Sequence, residues 1–581
     1  MLNAKAPTHP LLLPEVLQLL GRHLVRPALL VSLRVCSTWH HALQPCLWSS
    51  LHLENQPCNF TPRQATPTVL LRNKHHIRHL HEIGSNSLLK FLAFSTAGLP
   101  MQLTSIHVSM LTPEILMVAQ QNVDTLVSFS CRANRLRKDL QAQSLWYRQL
   151  FLILEMAPRL QHLSIGPAVL LDSPTEIFGA TFFQSLKSLE LDRIKLADPR
   201  WYAAEAAGAE PEPDSESARL MNAFKTAVID LQTFPRLETL ILIWNDLPPQ
   251  CQLELIRKAP NLRSLTWRRC TKLLADSWLS SLLPIPANLT RLDVAHSHIS
   301  DEDMERLLVM MPGLTALNVR SKPFGLKSCL RLLQNQARGS PETAMVELDL
   351  VDCSELSSAM IQKLMSCLPK LKVFGASRLE AGDIVDAFMS STGASSVPPS
   401  SFSSEAMTVH ATTAPDLLSD FGAGVISAGA FMRAPSAPWT CLTLESLELS
   451  IVGLYRCDNP GPTLARDLVY EQLAQLVNLR VLILGENVGS VQPPTHYLLD
   501  WTLPNGLDKL ARLTRLEELD IRGLRAKMGM KEVQWVAHSW QNLRKLTGGL
   551  CYDANKNELK ALERELKTLR PDVVRKGREI A

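Results

Sequence analysis

LTRLDVAHSHISDEDMERLLVMMPGLTALNV, Leu289 to Val319, contains one complete structural unit and the start of the next. Leu289, Leu292 and Val294 spell Leu-x-x-Leu-x-Leu, and Leu314, Leu317 and Val319 spell it again 25 residues later. Side chains two apart in an extended chain share a face, so Leu292 and Val294 point the same way from a short strand. The intervening DMERLLVMMPG has helical spacing and a proline stop at Pro312. A strand and a helix of this size cannot bury their own leucines, so successive copies must stack.

The same pattern starts at Leu160, Leu186, Leu237, Leu262, Met345, Leu371, Leu444, Leu479, Leu516 and Leu543. Weaker matches begin at Ile77, Leu103 and Val123. Several starts lie 25 to 27 residues apart, the period of a leucine-rich repeat. The position that often carries Asn or Cys, to bond the bare backbone of adjacent turns, holds Asn245, Cys270, Cys353 and Asn487. Two gaps break the period. The first, 51 residues from Leu186 to Leu237 or about two repeats, contains EAAGAEPEPDSES and predicts an acidic, solvated loop at 202–218. The second, 73 residues from Leu371 to Leu444, is rich in Ser, Pro and Thr and predicts a disordered insertion at about 389–438. The last helical run, ELKALERELKTLRPDVV, puts Leu559, Leu562, Leu566 and Leu569 on one face and reads as a cap on the final repeat.

Composition narrows the function classes. With 60 Lys and Arg against 56 Asp and Glu, a net charge of +4 over 581 residues gives no argument for nucleic acid. No apolar run approaches the ~18 residues of a membrane span. Twelve cysteines are scattered without a Cys-x-x-Cys pair, which predicts reduced thiols and a cytoplasmic or nuclear setting. Lys5 followed by LLLPEVLQLL superficially suits a signal peptide, but Pro14 and Glu15 interrupt it.

Ahead of the repeats stands LPEVLQLLGRHLVRPALLVSLRVCSTWHHALQPCLW, Leu13 to Trp48, with more apolar side chains than so short a segment can bury by itself. It predicts three short helices, with Pro14 and Glu15 in a first turn and Pro27 breaking the first helix. Its Leu13-Pro14-x-Val16-Leu17 start, its Val35-Cys36-x-x-Trp39 and its late Leu47-Trp48 resemble the F-box, a match carried also by Glu15, Leu24 and Leu33. The resemblance implies that Leu13, Pro14, Val16, Leu17, Leu20, Leu24, Leu29, Leu33, Val35, Trp39, Leu47 and Trp48 bind a Skp-type adaptor and, through it, a cullin scaffold. An F-box followed by irregular leucine-rich repeats resembles the F-box and leucine-rich-repeat class. PWTCLTLESLEL, YEQLAQLVNLRVLILG and HSWQNLRKLTGGL resemble its large fungal branch.

The expected fold class is therefore α/β: a right-handed leucine-rich-repeat solenoid at 51–580, parallel strands concave and helices convex, preceded by a small all-α three-helix F-box at 10–50. The expected function is the substrate-recognition subunit of an SCF-like ubiquitin ligase, the solenoid binding an unidentified protein target. The alternatives are a non-ligase scaffold, an adaptor-bound interaction module, and, more remotely, a secreted recognition repeat.

Residues between the inward leucines would line the target face: Glu190, Asp192, Arg268, Asp293, Arg320, Glu347, Asp349, Glu448, Glu518 and Asp520. Acidic residues outnumber basic ones there, which predicts a partner presenting Lys or Arg. No pattern carries catalysis, cofactor or metal. His75, His76, His79 and His81 cluster in KHHIRHLHEI, where His79 and His81 share a strand face, but lack the accompanying ligands of a zinc site and read as surface histidines. GAGVISAG, from Gly422, lacks phosphate-loop spacing and a preceding strand.

Overall fold

The structure, a computed structural model, describes residues 13–54, 67–83, 87–94, 100–132, 140–166, 168–170, 184–196, 233–244, 247, 249–269, 288–297, 299–339, 343–391, 438–452, 462–485, 499, 501–522, 526–551 and 556–576. The acidic loop expected at 202–218, Asn245, Cys270, Asn487, GAGVISAG and nearly all of the insertion expected at 389–438 lie outside these residues.

The chain divides into two compact units, one running through Thr266 and the other from Leu289 onward, with Trp267–Arg269 counted in the second. In the first unit the strands Ser50–Glu54, His79–Ile83, Ser105–Val108, Ser128–Arg132, His162–Gly166, Ser188–Asp192 and Thr239–Ile243 pair in that order, all parallel. In the second, Arg291–Asp293, Ala316–Asn318, Glu347–Leu350, Val373–Glu380, Ser446–Val452, Val481–Leu484, Glu518–Asp520, Lys545–Thr547 and Val574–Lys576 do the same. One parallel strand per leucine motif is the leucine-rich-repeat architecture.

Burial follows the motif. Leu289, Leu292 and Val294, Leu314, Leu317 and Val319, and Met345, Leu348 and Leu350 are all buried, while the residues between them face outward. Each such side chain contributes about 1.5–3 kcal/mol on burial, which the helices complete from the other side. Three of those helices start on side-chain caps: Thr112 accepts from Ile115 N, Ser300 from Asp303 N and Ser357 from Met360 N. Asp301 also caps the next helix over, accepting from Gly325 N at 2.7 Å and Ser328 N at 3.2 Å. Cys353 Sγ donates to the Val319 carbonyl of the preceding repeat at 3.4 Å, the bond expected of that position. Ser297 Oγ donates likewise to the Trp267 carbonyl, so a hydroxyl serves in the place that Asn or Cys often takes.

Three expectations change. At Val123 the frame shifts by three: Leu126, Phe129 and Cys131 fill the inward positions, and Ser128 pairs with Ser105. The gap after Leu186 hides no repeat in the main sheet, because Ser188–Asp192 pairs directly with Thr239–Ile243. Val373–Glu380 and Ser446–Val452 likewise remain neighbours across the longer insertion. The helix Lys556–Leu569 is followed by the strand Val574–Lys576, paired to Lys545–Thr547, so it is the helix of a further repeat and not a terminal cap.

A turn that sequence spacing does not announce recurs at the strand ends. Arg193, Trp244, Arg269, His296, Ser321 and Asp352 all have φ between 52° and 61°, and all stand seven residues after the first Leu of their motif. A side chain in this left-handed region costs about 1–2 kcal/mol, tolerated here because neighbouring backbones lock the turn: Ser321 N donates to Val351 O at 2.8 Å. Ser321→Val should therefore lower stability by about 1–2 kcal/mol, since a β-branched residue is least suited to positive φ, whereas Ser321→Gly should be near neutral. Denaturant midpoints of the two variants test this; equal midpoints would contradict it.

Candidate functional site

Two surfaces differ from what the repeat requires of itself. The first lies on the helices Pro14–His23, Arg26–Ser32 and Ser37–Trp48. The first helix ends before Leu24, and Pro27 sits in the first turn of the second helix, so that proline starts a helix where sequence spacing made it a breaker. Leu17, Leu29, Ala42 and Leu43 form a small core, with Leu24, Leu33, Trp39, Cys46 and Leu47 packed against it. Gly21 allows the close crossing of first and third helices: a Cβ there would stand 2.8 Å from Leu43 Cδ2.

The expected adaptor residues therefore split. Leu17 and Leu29 are interior; Val16, Leu24, Leu33, Trp39, Leu47 and Trp48 are half-buried; Leu13, Pro14, Leu20 and Val35 are exposed. Leu19, Val25 and Val31, which the motif does not single out, are exposed too, Val25 by 70%. Six large apolar side chains thus stand in solvent on a unit with its own core.

The second surface is the strand face away from the helices. In the second unit the expected target-face residues are brought together as ion pairs. Arg268 pairs with Asp293, Arg291 with Glu347 at 2.5 Å, and Arg320 with Asp349 at 3.3 Å and Glu448 at 2.7 Å. Arg320 reaches Glu448 because the strand between carries Gly375, where a Cβ would stand 2.9 Å from Asp349 Oδ1. Lys545 holds Glu518 at 2.6 Å and Arg522 holds Asp520 at 2.7 Å. Asp293, Asn318, Asp349 and Asp520 also each accept the backbone N–H two residues on, closing the strand-end turn. Within the acidic row Asp293, Asp349 and Asp520 thus cap turns, and these three with Glu347, Glu448 and Glu518 all have cationic partners inside the chain. Exposed pairs of this kind contribute about 0–1 kcal/mol each.

In the first unit Asp192 pairs with Arg193, and Glu190 with Arg132 at 2.5 Å. On the strands before Ser188–Asp192 the face is lined mainly by histidine and serine, while Thr239, Ile241 and Ile243 continue it beyond Glu190 and Asp192. His52, His81 and His107 stand in register on three adjacent strands. Their rings stack with centroids 4.5 and 4.9 Å apart and planes within 6° and 5° of parallel. Ser130 and Ser164 continue the row to Glu190. These groups line an open groove of about 580 Å³ that also takes in His162 and Arg132. The His-x-His of KHHIRHLHEI accounts for one rung; SLHLE and SIHV, at Ser50–Glu54 and Ser105–Val108, carry the other two at the same motif position. Aligning those strands on the repeat would have revealed the row.

Burial first, then the neighbouring rings of His52 and His107 and of His79, hold His81 at about 4, well below the ordinary imidazole value of 6.5. His107 is also lowered, by burial and by His79 and Arg132. Among the described residues no group of three His, Cys, Asp or Glu is arranged to hold a metal ion, and no described helix is long and apolar enough to cross a membrane.

No protein-family model matches the chain, and no curated protein matches it. Among solved structures it is similar to an internalin from Listeria monocytogenes, at 12% identity and a TM-score of 0.30, covering 74% of this chain and 82% of that one.

The histidine row makes stability depend on acid. His81 binds its proton less readily folded than unfolded, so between pH 6.5 and about 4 protonation favours the unfolded chain. The first unit should lose stability as pH falls through that window and lose none of this contribution above it. His81→Phe keeps a stacked ring without a titrating nitrogen and should flatten the fall. Urea midpoints measured across the window test this; parallel pH profiles for the two proteins would contradict it.

Proposed function

We propose that this chain is the substrate-recognition subunit of an SCF-like ubiquitin ligase. The helical segment at 13–48 docks a Skp-type adaptor, a cullin joins through that adaptor, and the strand faces of the repeats hold a protein target. The observation that carries the reading is the exposed set Leu13, Leu19, Leu20, Val25, Val31 and Val35, standing over a separate small core in a segment with the F-box pattern. The repeats supply the second half: a leucine-rich-repeat sheet presents rows of side chains that a protein partner can cover.

The role is positional, and no catalytic residue is assigned. Holding a target near the ligase raises the effective concentration of its lysines there. A cytoplasmic or nuclear setting accords with the thiols. Cys131, Cys329, Cys353 and Cys441 are buried thiols outside any disulfide, and burial pushes the last three up, Cys353 and Cys441 to about 12.

Substitution separates docking from folding. Leu20→Asp with Val35→Asp alters exposed positions and should change stability by no more than about 0.5 kcal/mol, while abolishing adaptor capture. Leu17→Ala empties an interior position and should cost about 2–5 kcal/mol, reducing capture through unfolding. Affinity capture from cells, with thermal melts of the same proteins, reads both. Full adaptor capture by the folded double variant would sink the docking reading. Adaptor without cullin in the wild-type capture would favour the non-ligase scaffold.

A further inference from the structure

The two strand faces are built on different chemistry. In the second unit the named carboxylates carry cationic partners. In the first, imidazoles and hydroxyls line the groove, and among its described lining residues the one carboxylate is Glu190, already paired to Arg132. We propose that this groove receives an anionic segment of a partner protein. Its carboxylate or phosphate groups are held by Arg132, the hydroxyls of Ser130 and Ser164 and the ring nitrogens of His81 and His107, which take up protons as the segment binds. This rests on reading the strand face as the recognition surface, and not on the adaptor.

Geometry supports the assignment first. Stacked rings present their edges to solvent, and a neutral imidazole edge both donates and accepts while a protonated one donates twice. Beyond His107 the row falls from rings to serines, leaving a notch between the His107 ring and the Arg132–Glu190 pair. Arg132 crosses its floor, with Nε donating to Ser164 Oγ at 3.3 Å, and its side chain is 61% exposed. A guanidinium so placed can turn to a second anion without losing Glu190.

Electrostatics point the same way. The charged and titratable groups facing the row are His52, His79 and His162, Arg78 beside His79, and Arg132 with Glu190 beside His107. Burial first, then the neighbouring rings and Arg132, lower the proton affinities of His81 and His107. A bound anion favours the protonated rings and raises those affinities. Binding and proton uptake then strengthen each other by linkage, so affinity must rise as pH falls from about 7.5 to 6. Metal bridging is disfavoured, since parallel stacked rings do not converge their nitrogens on one point.

The test uses the full chain and fluorescein-labelled short peptides of one sequence frame carrying Glu, phosphoserine or Gln, with binding read by fluorescence anisotropy. The Glu or phosphoserine peptide should bind about tenfold more tightly at about pH 6 than at 7.5, and the Gln peptide should not bind. Whether Glu or phosphoserine binds tighter assigns the anion to a carboxylate-rich or a phosphorylated segment. His107→Phe, which retains a stackable ring, should remove most of the pH dependence; His81→Asn and Arg132→Gln provide independent variants should one misfold by its melting profile. His538→Asn, an exposed histidine on a helix, should behave as wild type. Equal binding of the Gln peptide, a pH-independent affinity, absence of binding by both anionic peptides, or full binding by a folded His107→Phe protein would each overturn the proposal. Adaptor capture by the same preparation reports separately on the ligase reading.

Discussion

A strand that turns only three side chains inward cannot remain folded unless something lies against both its edges and over its apolar face. That constraint sets most of this molecule. It explains why Leu289, Leu292 and Val294 recur as a unit and why the strands within each unit pair in chain order. It also explains why Asp301 caps the next repeat's helix and Ser297 and Cys353 bond the preceding repeat's backbone. The same constraint tolerates two long insertions, because the flanking strands find each other however much chain intervenes. Loop closure grows costlier only slowly with length.

Once the inward positions are committed, the outward ones are free to differ, and they do. Asp293, Asp349 and Asp520 serve the fold, closing turns and engaging arginines, so their charge is largely neutralised within the chain. His52, His81 and His107 do nothing comparable for the backbone. Burial and then the neighbouring rings make protonation of the middle imidazole harder, so the row lowers stability in acid without serving the backbone. On this argument the histidine groove and the exposed apolar helices are the two places where the chain departs from its own packing rules, which is where function is expected.

The repeat was legible in the sequence from Leu160 onward, where most inward positions are aliphatic and the motif returns in several places after 25 to 27 residues. It blurred at Val123 because Phe129 and Cys131 replace leucines, so the frame could be read three residues early. The left-handed turn at Arg193, Trp244 and its equivalents was not legible, since the residues there share no chemistry; only their place after the strand is common. The ion pairs escaped notice for a related reason: Arg291 and Glu347 lie 56 residues apart and two strands apart, with the small Ala316 between them. Face and parity can be read from spacing, but which side chains reach across the sheet depends on the size of what stands between. At the N-terminal helices the pattern located the segment, while exposure alone separated Leu17, which builds its core, from Leu20, which does not.

The central claim is that one chain holds two partners on two separate surfaces, helices for an adaptor and strands for a target. An electron cryo-microscopy map of the full chain purified with its captured adaptor tests this most directly. The account predicts adaptor density over Leu13, Leu20, Val25 and Val35 with the histidine groove open. Adaptor density on the strand face, or a complex that leaves those apolar side chains in solvent, would contradict it.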